Sequence, residues 1–337
     1  MTVAFITGVQ GQDGQLLSRV LLERGVEVHG LVYVPGAGSD SEPSVAPLAA
    51  ALDTPLLEGV TLHGGDLSAP GHLGQILREV RPDQIYNLGG ISSVGQSWSL
   101  PVETGLATGL GAVGVFREAL GLQEATGKPI AVVQASSAEI FGSPLESPQT
   151  EETPISPVSP YGAAKAYAHF MARSFRSRGL PVSNLIFYGH ESPLRPSSFV
   201  SRKITQAVAR ISRGDAEPLR LGNIEAARDW GWAPDYVLAM TAAAGWSLET
   251  GEGDDFIVAT GEAHTVKDFV RQAFAYVGIE DWERHIEIDP RFFRPVDPVT
   301  LVGDPSKARD VLGWEPQVSF QDLVGGMVQH DLDMLES

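Results

Sequence analysis

Apolar and polar residues fall along the first half of the chain in blocks that predict strands and helices in turn. Residues 3–6 form a short apolar run with β-branched members, a glycine-rich turn follows, and residues 15–23 carry leucines at 16, 17, 21 and 22, the spacing of a helix. Residues 26–34 are apolar again. Strand, glycine turn, helix and strand are the opening of a right-handed crossover unit. The rhythm predicts further strands at 61–62, 84–88, 130–134 and 182–188, with helices around 73–80 and 105–120. Strands separated by helical stretches define an α/β fold, a doubly wound parallel sheet of Rossmann type.

Two stretches, 35–47 and 143–160, are rich in proline and small polar residues and read as loops. Beyond residue 188 the periodicity loosens while glycine, proline and arginine become more frequent. The chain therefore divides, on this reading, into a dinucleotide-binding domain of residues 1–188 plus about 227–260 and a smaller C-terminal substrate-binding lobe of 189–226 and 261–337.

Composition narrows the function classes. With 337 residues, 43% hydrophobic and 20% charged, the chain can bury a large core, which excludes disorder as its main state. Its 24 Lys and Arg against 42 Asp and Glu leave a formal charge of −18, the opposite of a nucleic-acid footprint. Anionic small molecules stay open, because a few placed arginines act locally inside a negative envelope. No cysteine is present, so disulfides, thiolate metal sites and a cysteine nucleophile are excluded. The eight histidines show no H-E-x-x-H or H-x-H spacing, and no Walker-type loop occurs, so neither a metal site nor an NTPase is expected. No apolar run approaches the ~18 residues of a membrane span. The N-terminus lacks a basic segment followed by an apolar one, and a cytoplasmic location is expected.

Candidate chemistry starts at Thr7-Gly8-Val9-Gln10-Gly11-Gln12-Asp13-Gly14. These glycines follow a predicted strand and open a predicted helix, the context in which a backbone turns tightly against a pyrophosphate at a helix N-terminus. An NADP 2′-phosphate is usually met by an arginine near the end of the second strand, and the NAD ribose by an acidic residue. Here that end reads Leu31-Val32-Tyr33-Val34, and no Lys or Arg lies between Arg24 and Arg78. NAD or NADP is therefore expected, with the missing cations leaning toward NAD. Asp66, after the third strand, is placed either to accept from the adenine amino group or to cap a helix.

Tyr161 and Lys165 lie one helical turn apart on a common face. The expectation is that the ammonium lowers the phenol from ~10 toward neutrality, so that it can take a proton from a hydroxyl. Ser137 and Glu139 follow the strand predicted at 130–134, and ligands of such sheets sit outside the carboxyl ends of strands.

At these residues the chain resembles the extended short-chain dehydrogenases/reductases, and among them the GDP-mannose 4,6-dehydratase family. The likeness runs nearly end to end, through Thr7–Gly14, Pro82–Gly89, Gln134–Gly142, Ser159–Lys165, His190-Glu191-Ser192-Pro193, Phe199–Ile204, Leu221–Asn223, Arg228–Gly231, Asp289–Pro295 and Gly303–Pro305. It implies a nucleotide-sugar 4,6-dehydratase. Tyr161 would remove the sugar O4 proton, Lys165 would tune it and hold the nicotinamide ribose, Ser137 stands where the family has Thr, and Glu139 matches the C5 base. The resemblance puts Gly8, Gly11, Gln12, Asp13, Gly14, Tyr33, Asp66, Leu67, Leu88, Gly89 and His190, with Tyr161 and Lys165, at the cofactor. It puts Ser92, Glu139, Gly189, Val200, Lys203, Leu221, Arg228 and Arg294 at the substrate, a nucleotide-diphosphate sugar, with Arg202 as a further cation. A homodimer or homotetramer is implied, the dimer formed through the Tyr161 helix and the helix expected at 105–120.

Several positions depart from the family's pattern. Tyr33-Val34 replaces an arginine pair, Gly189 replaces Asn, Ser92-Ser93-Val94 stands for Ser-His-Val, and Ala138-Glu139 for Ser-Glu. An epimerase or decarboxylase of the same superfamily is the alternative reading, and a catalytically silent dinucleotide-binding protein a third.

Overall fold

Seven parallel strands form the centre of the protein, in the order β11, β6, β5, β4, β1, β2, β3. They are β1 (Val3–Thr7), β2 (Glu27–Tyr33), β3 (Thr61–Gly65), β4 (Gln84–Asn87), β5 (Ala131–Ser137), β6 (Val182–Phe187) and β11 (Asp255–Val258). The computed structural model describes residues 1–34, 57–69, 71–293 and 300–336. The loop expected at 35–47 lies outside them. Strand order reverses at β1, with β2 and β3 on one side and β4, β5, β6 and β11 on the other, which opens a crevice at the carboxyl ends of β1 and β4.

The sheet is apolar on both faces because helices cover both. On one face, helices Gln12–Glu23 and Ala233–Thr250 pack Leu17, Leu21, Tyr236 and Met240 against Ile6, Val133 and Phe256. On the other, helices Gly71–Val80, Gly111–Thr126 and Pro160–Arg176 pack Leu73, Leu77, Phe116 and Ala168 against Phe5, Ile85 and Val132.

The helix expected at 105–120 is broken at its start. Pro101–Thr104 is one short turn, Gly105–Leu110 a π-helical stretch, and the regular helix runs from Gly111 to Thr126. Glycines at 105, 109 and 111 weaken regular helix there. Gly111 lies against Leu67, where a Cβ would come within 2.9 Å of the leucine.

Small sheets carry the rest of the chain: β7 (Gly189–Glu191) pairs with β10 (Trp230–Trp232), and β8 (Leu219–Leu221) with β13 (Ile286–Ile288). β9 (Ala227–Arg228) lies between β12 (His264–Thr265) and β14 (Thr300–Leu301). Helices Val200–Ser212, Val266–Tyr276 and Phe320–Glu336 enclose a separate core around Ile204, Val208, Phe269, Phe274 and Met327. No helix among the described residues is long and apolar enough to cross a membrane.

Candidate active site

The glycine loop closes at the carboxyl end of β1. Gly8 has φ of 70°, and a Cβ there would lie 2.8 Å from Gly89 Cα; at Gly14 it would lie 2.5 Å from Gly8 O. Gly11 N donates to Gly8 O at 3.0 Å, and helix Gln12–Glu23 starts at the next residue. The loop is thus a bare backbone cradle at a helix N-terminus, which fits a dinucleotide pyrophosphate. Gly89 continues its wall, since a Cβ there would meet Leu67 Cδ1 at 2.6 Å. Leu88, just before it, is partly buried against the core.

Two members of the loop face inward. Gln12 is buried; its Nε2 donates to His190 O at 3.1 Å, and its Oε1 accepts from Ser192 Oγ at 2.8 Å, tying the loop to the segment after β6. Asp13 meets His190 Nε2 at 2.9 Å, while His190 Nδ1 donates to Tyr188 O at 2.8 Å. Burial alone would raise the Asp13 carboxyl, but His190 outweighs it and holds the carboxyl down at about 2. Burial disfavours the imidazolium, yet Asp13 raises His190 above its ordinary value, so the two form an ion pair.

A chain of buried polar groups runs beneath the strand ends. Thr7 Oγ1 accepts from Gly89 N and donates to Asn87 Oδ1 (2.7 Å), Asn87 Nδ2 donates to Gln134 Oε1 (2.6 Å), and Gln134 Nε2 donates to Ala135 O (2.9 Å). The same carbonyl accepts from Lys165 Nζ at 2.7 Å.

Helix Pro160–Arg176 begins where it does because Ser159 accepts from Gly162 N at 3.0 Å and proline occupies the first turn. Ser97 Oγ accepts from Tyr161 N at 3.2 Å. Gly162 packs on the turn Ala138–Ile140, where a Cβ would lie 2.5 Å from Glu139 O. Ser137, Glu139, Tyr161 and Lys165 are thereby brought together. Ser137 Oγ accepts from Glu139 N at 3.3 Å and faces the phenol.

The lowered phenol expected from Lys165 is not found. Burial pushes Tyr161 up to about 12, with Ser137 pulling it down and the negative charge of Glu139 adding to the rise. Lys165 points its ammonium at the Ala135 carbonyl, 5.7 Å from the centre of the tyrosine ring, and burial lowers it to about 8.

Other expected residues divide. Tyr33 ends β2 and is 55% exposed, with its N donating to Gln10 Oε1 at 3.3 Å. Asp66 Oδ1 accepts from Ser68 N and Oγ, closing a turn. Ser92 is exposed, beside Ser93, which caps the short turn Val94–Ser97. At Gly189 a Cβ would sit 2.8 Å from Trp230 Cδ1, so the tryptophan fills the space where the family's asparagine would extend. Lys203 Nζ stacks 3.4 Å from the Phe292 ring, and Leu221 is buried in the lobe core, its carbonyl accepting from Asp289 N; partly buried Val200 packs on that core. Arg228 Nη1 donates to Ala227 O at 2.7 Å. Arg294 lies outside the described residues.

Arg202 is not a substrate cation: it is buried, ion-paired with Asp331, and donates to Pro193 O at 3.0 Å. Its charge is spent joining two helices. The motif reading missed Arg195 instead. Its guanidinium stacks 3.8 Å above Phe199 and ion-pairs with buried Glu191 at 3.2 Å, and its charge is felt by Asp13, Tyr161 and His190 alike. The signal was an arginine two residues beyond His190-Glu191-Ser192-Pro193. Also missed was Asp229, a buried hub that accepts from Thr260 N and Oγ1 and from Gly261 N.

A glycine cradle at the sheet's switch point, facing a serine, a carboxylate, a tyrosine and a lysine, defines an extended short-chain dehydrogenase/reductase. The description GDP-mannose 4,6 dehydratase matches residues 5–327. The chain is 42% identical to GDP-mannose 4,6 dehydratase 1 of Arabidopsis thaliana, over 98% of this chain and 90% of that protein. It is 36% identical to GDP-mannose 4,6-dehydratase of Vibrio cholerae, over 99% and 94%. The UDP-glucose 4-epimerase of Thermotoga maritima shares the fold, with a TM-score of 0.81 at 21% identity over 99% of this chain and 100% of that one. The chain belongs to the GDP-mannose 4,6-dehydratase family.

Proposed function

We propose that the protein dehydrates GDP-mannose to a 4-keto-6-deoxy sugar nucleotide, and that Ser137, Glu139, Tyr161 and Lys165 carry the reaction. The observation that supports this most is the placing of Glu139 beside an intact Ser-Tyr-Lys set. Gly8, Gly11, Gly14, Gly89, Lys165 and Arg195 would hold NAD or NADP, which would supply the hydride acceptor for C4 and the hydride donor for C6. Tyr161 takes the O4 proton as C4 is oxidised, with Ser137 donating to the same oxygen. Glu139 then removes the C5 proton, acidified by the neighbouring ketone, and passes it to the C6 hydroxyl, which leaves as water. As C6 is reduced, C5 regains a proton from solvent, balanced by the O4 proton that Tyr161 gives up. The cofactor's net oxidation state is unchanged over the cycle, so no external reductant is consumed. The Lys165 ammonium, 5.7 Å from the centre of the tyrosine ring, would stabilise the tyrosinate against the burial that raises the phenol.

On this reading residues 1–188 and 227–260 hold the dinucleotide, and 189–226 with 261–337 cover the sugar nucleotide, with Lys203, Arg228 and Arg294 serving the diphosphate and Gly189 beside it, against the Trp230 ring. A second copy of the chain covers exposed Val102, Leu106, Leu110, Tyr167 and Phe170 on the adjoining helices. The reaction takes place in the cytoplasm, where nucleotide sugars are made. The test is mass spectrometry of the protein incubated with GDP-, UDP-, dTDP- and CDP-hexoses. Loss of one water from GDP-mannose without added reductant is the expected result. A product that keeps its C6 oxygen overturns the proposal and points to an epimerase.

A further inference from the structure

We propose that this chain takes NAD in preference to NADP. The inference rests on the dehydratase reading only in needing a dinucleotide in the glycine cradle. In a doubly wound fold the adenosine ribose lies at the end of the second strand, where a 2′-phosphate is held by a cation. Here β2 ends in Tyr33, whose N donates to Gln10 of the glycine loop, so this end abuts the cradle. Its outward group is a phenol, not a guanidinium.

Among the described residues, the cations that flank this part of the chain do not replace the missing one. None occurs in residues 25–77, which span β2, β3 and everything between them. Arg24 follows helix Gln12–Glu23, whose 12 residues carry the chain about 18 Å from the loop to the opposite edge of the sheet. Arg78 sits near the far end of helix Gly71–Val80 and meets Glu118 at 3.7 Å. The charge that is present has the wrong sign: Tyr33 is in register with Gly65, and the next residue is Asp66. A ribose hydroxyl suits a phenol, a carboxamide and a carboxylate, whereas a phosphate dianion meets repulsion and no donor with a charge.

The experiment is isothermal titration of the full chain, freed of carried-over nucleotide, with NAD and NADP, and the same titrations on Tyr33→Arg. The expected result is NAD bound at least about tenfold more tightly than NADP, the margin of a charge-assisted contact. The variant is expected to gain about tenfold in NADP affinity, so that the ratio of NAD to NADP affinity falls at least about tenfold. Equal affinities, or tighter NADP, overturn the preference and leave the dehydratase reading standing. Binding of neither nucleotide overturns both. The wild-type comparison decides the matter even if the variant fails to fold.

Discussion

Glu139 and Tyr161 each take a proton at the proposed site, from C5 and from O4, so their substitution separates the two halves of the reaction. Glu139→Gln is expected to lower turnover by about 10²–10⁴-fold, the usual worth of a general base, and to stop solvent deuterium from entering C5. Retained exchange would show that another group is the base. The Asp13–His190 pair makes a different statement, about pH. Asp13 titrates lower in the fold than its ordinary 3.8, so its contribution is complete above 3.8 and lost as pH falls through about 2. His190 titrates above its ordinary 6.5, so its contribution is complete below 6.5 and lost as pH rises through the raised value. The pair is therefore worth most between 3.8 and 6.5. Asp13→Asn should cost about 2 kcal/mol there, somewhat less than a fully buried pair, and flatten both limbs of a plot of Tm against pH. Unchanged limbs would assign the pH dependence elsewhere.

Elements carry these residues into place, and they were unequally legible. The early strands and the glycine turn could be read because period and punctuation agree, and Tyr161 and Lys165 because one helical turn separates them. Helix Ala233–Thr250 could not, since it is buried on most sides and shows no polar stripe to set its period. Helix Val200–Ser212 does carry a stripe, at Ile204, Val208 and Ile211, but prolines, glycines and arginines on either side hid it. Arg202 and Arg195 show the limit at the site: a motif gives a cation's position in the chain, while its partner comes from another part of the fold. Edge strand β11 was also unread, and it is anchored by Asp255. Buried Asp255 meets Arg173 at 2.7 Å, Arg176, and fully buried His169 at 3.2 Å, all on the tyrosine helix. Burial opposes its charge, but these partners hold its carboxyl far below the usual range. Asp255→Asn is expected to destabilise the fold by about 2–4 kcal/mol, read as a fall in Tm, with nucleotide affinity unchanged. Gly14→Ala should do the reverse: its Cβ lies within 2.6 Å of Val9 Cα, so the cradle must deform and nucleotide affinity should drop at least tenfold, by about 1.4 kcal/mol or more. A variant that still bound as wild type would mean that the loop is not the phosphate site.

The whole molecule adds what neither scale supplies. Its formal −18 would repel a sugar nucleotide if spread evenly, so binding depends on a few cations set in the crevice, and raised salt should alter it only modestly. Exposed Leu110 and Tyr167 belong to adjoining helices in the proposed subunit contact. Leu110→Asp with Tyr167→Asp is expected to halve the mass seen by light scattering while leaving the far-ultraviolet spectrum unchanged. A wild-type protein that already runs as a monomer would remove that contact from the proposal. The polar chain from Thr7 through Asn87 and Gln134 to the carbonyl that holds Lys165 has a kinetic meaning. The hydride leaves one carbon and comes back to another while the sugar stays in place, so the reaction tolerates no drift between its outward and return journeys. A loosened link, as in Asn87→Ala, would be felt less in affinity than in fidelity: some sugars would escape as the 4-keto compound with C6 still hydroxylated, each stranding one enzyme in mid-cycle.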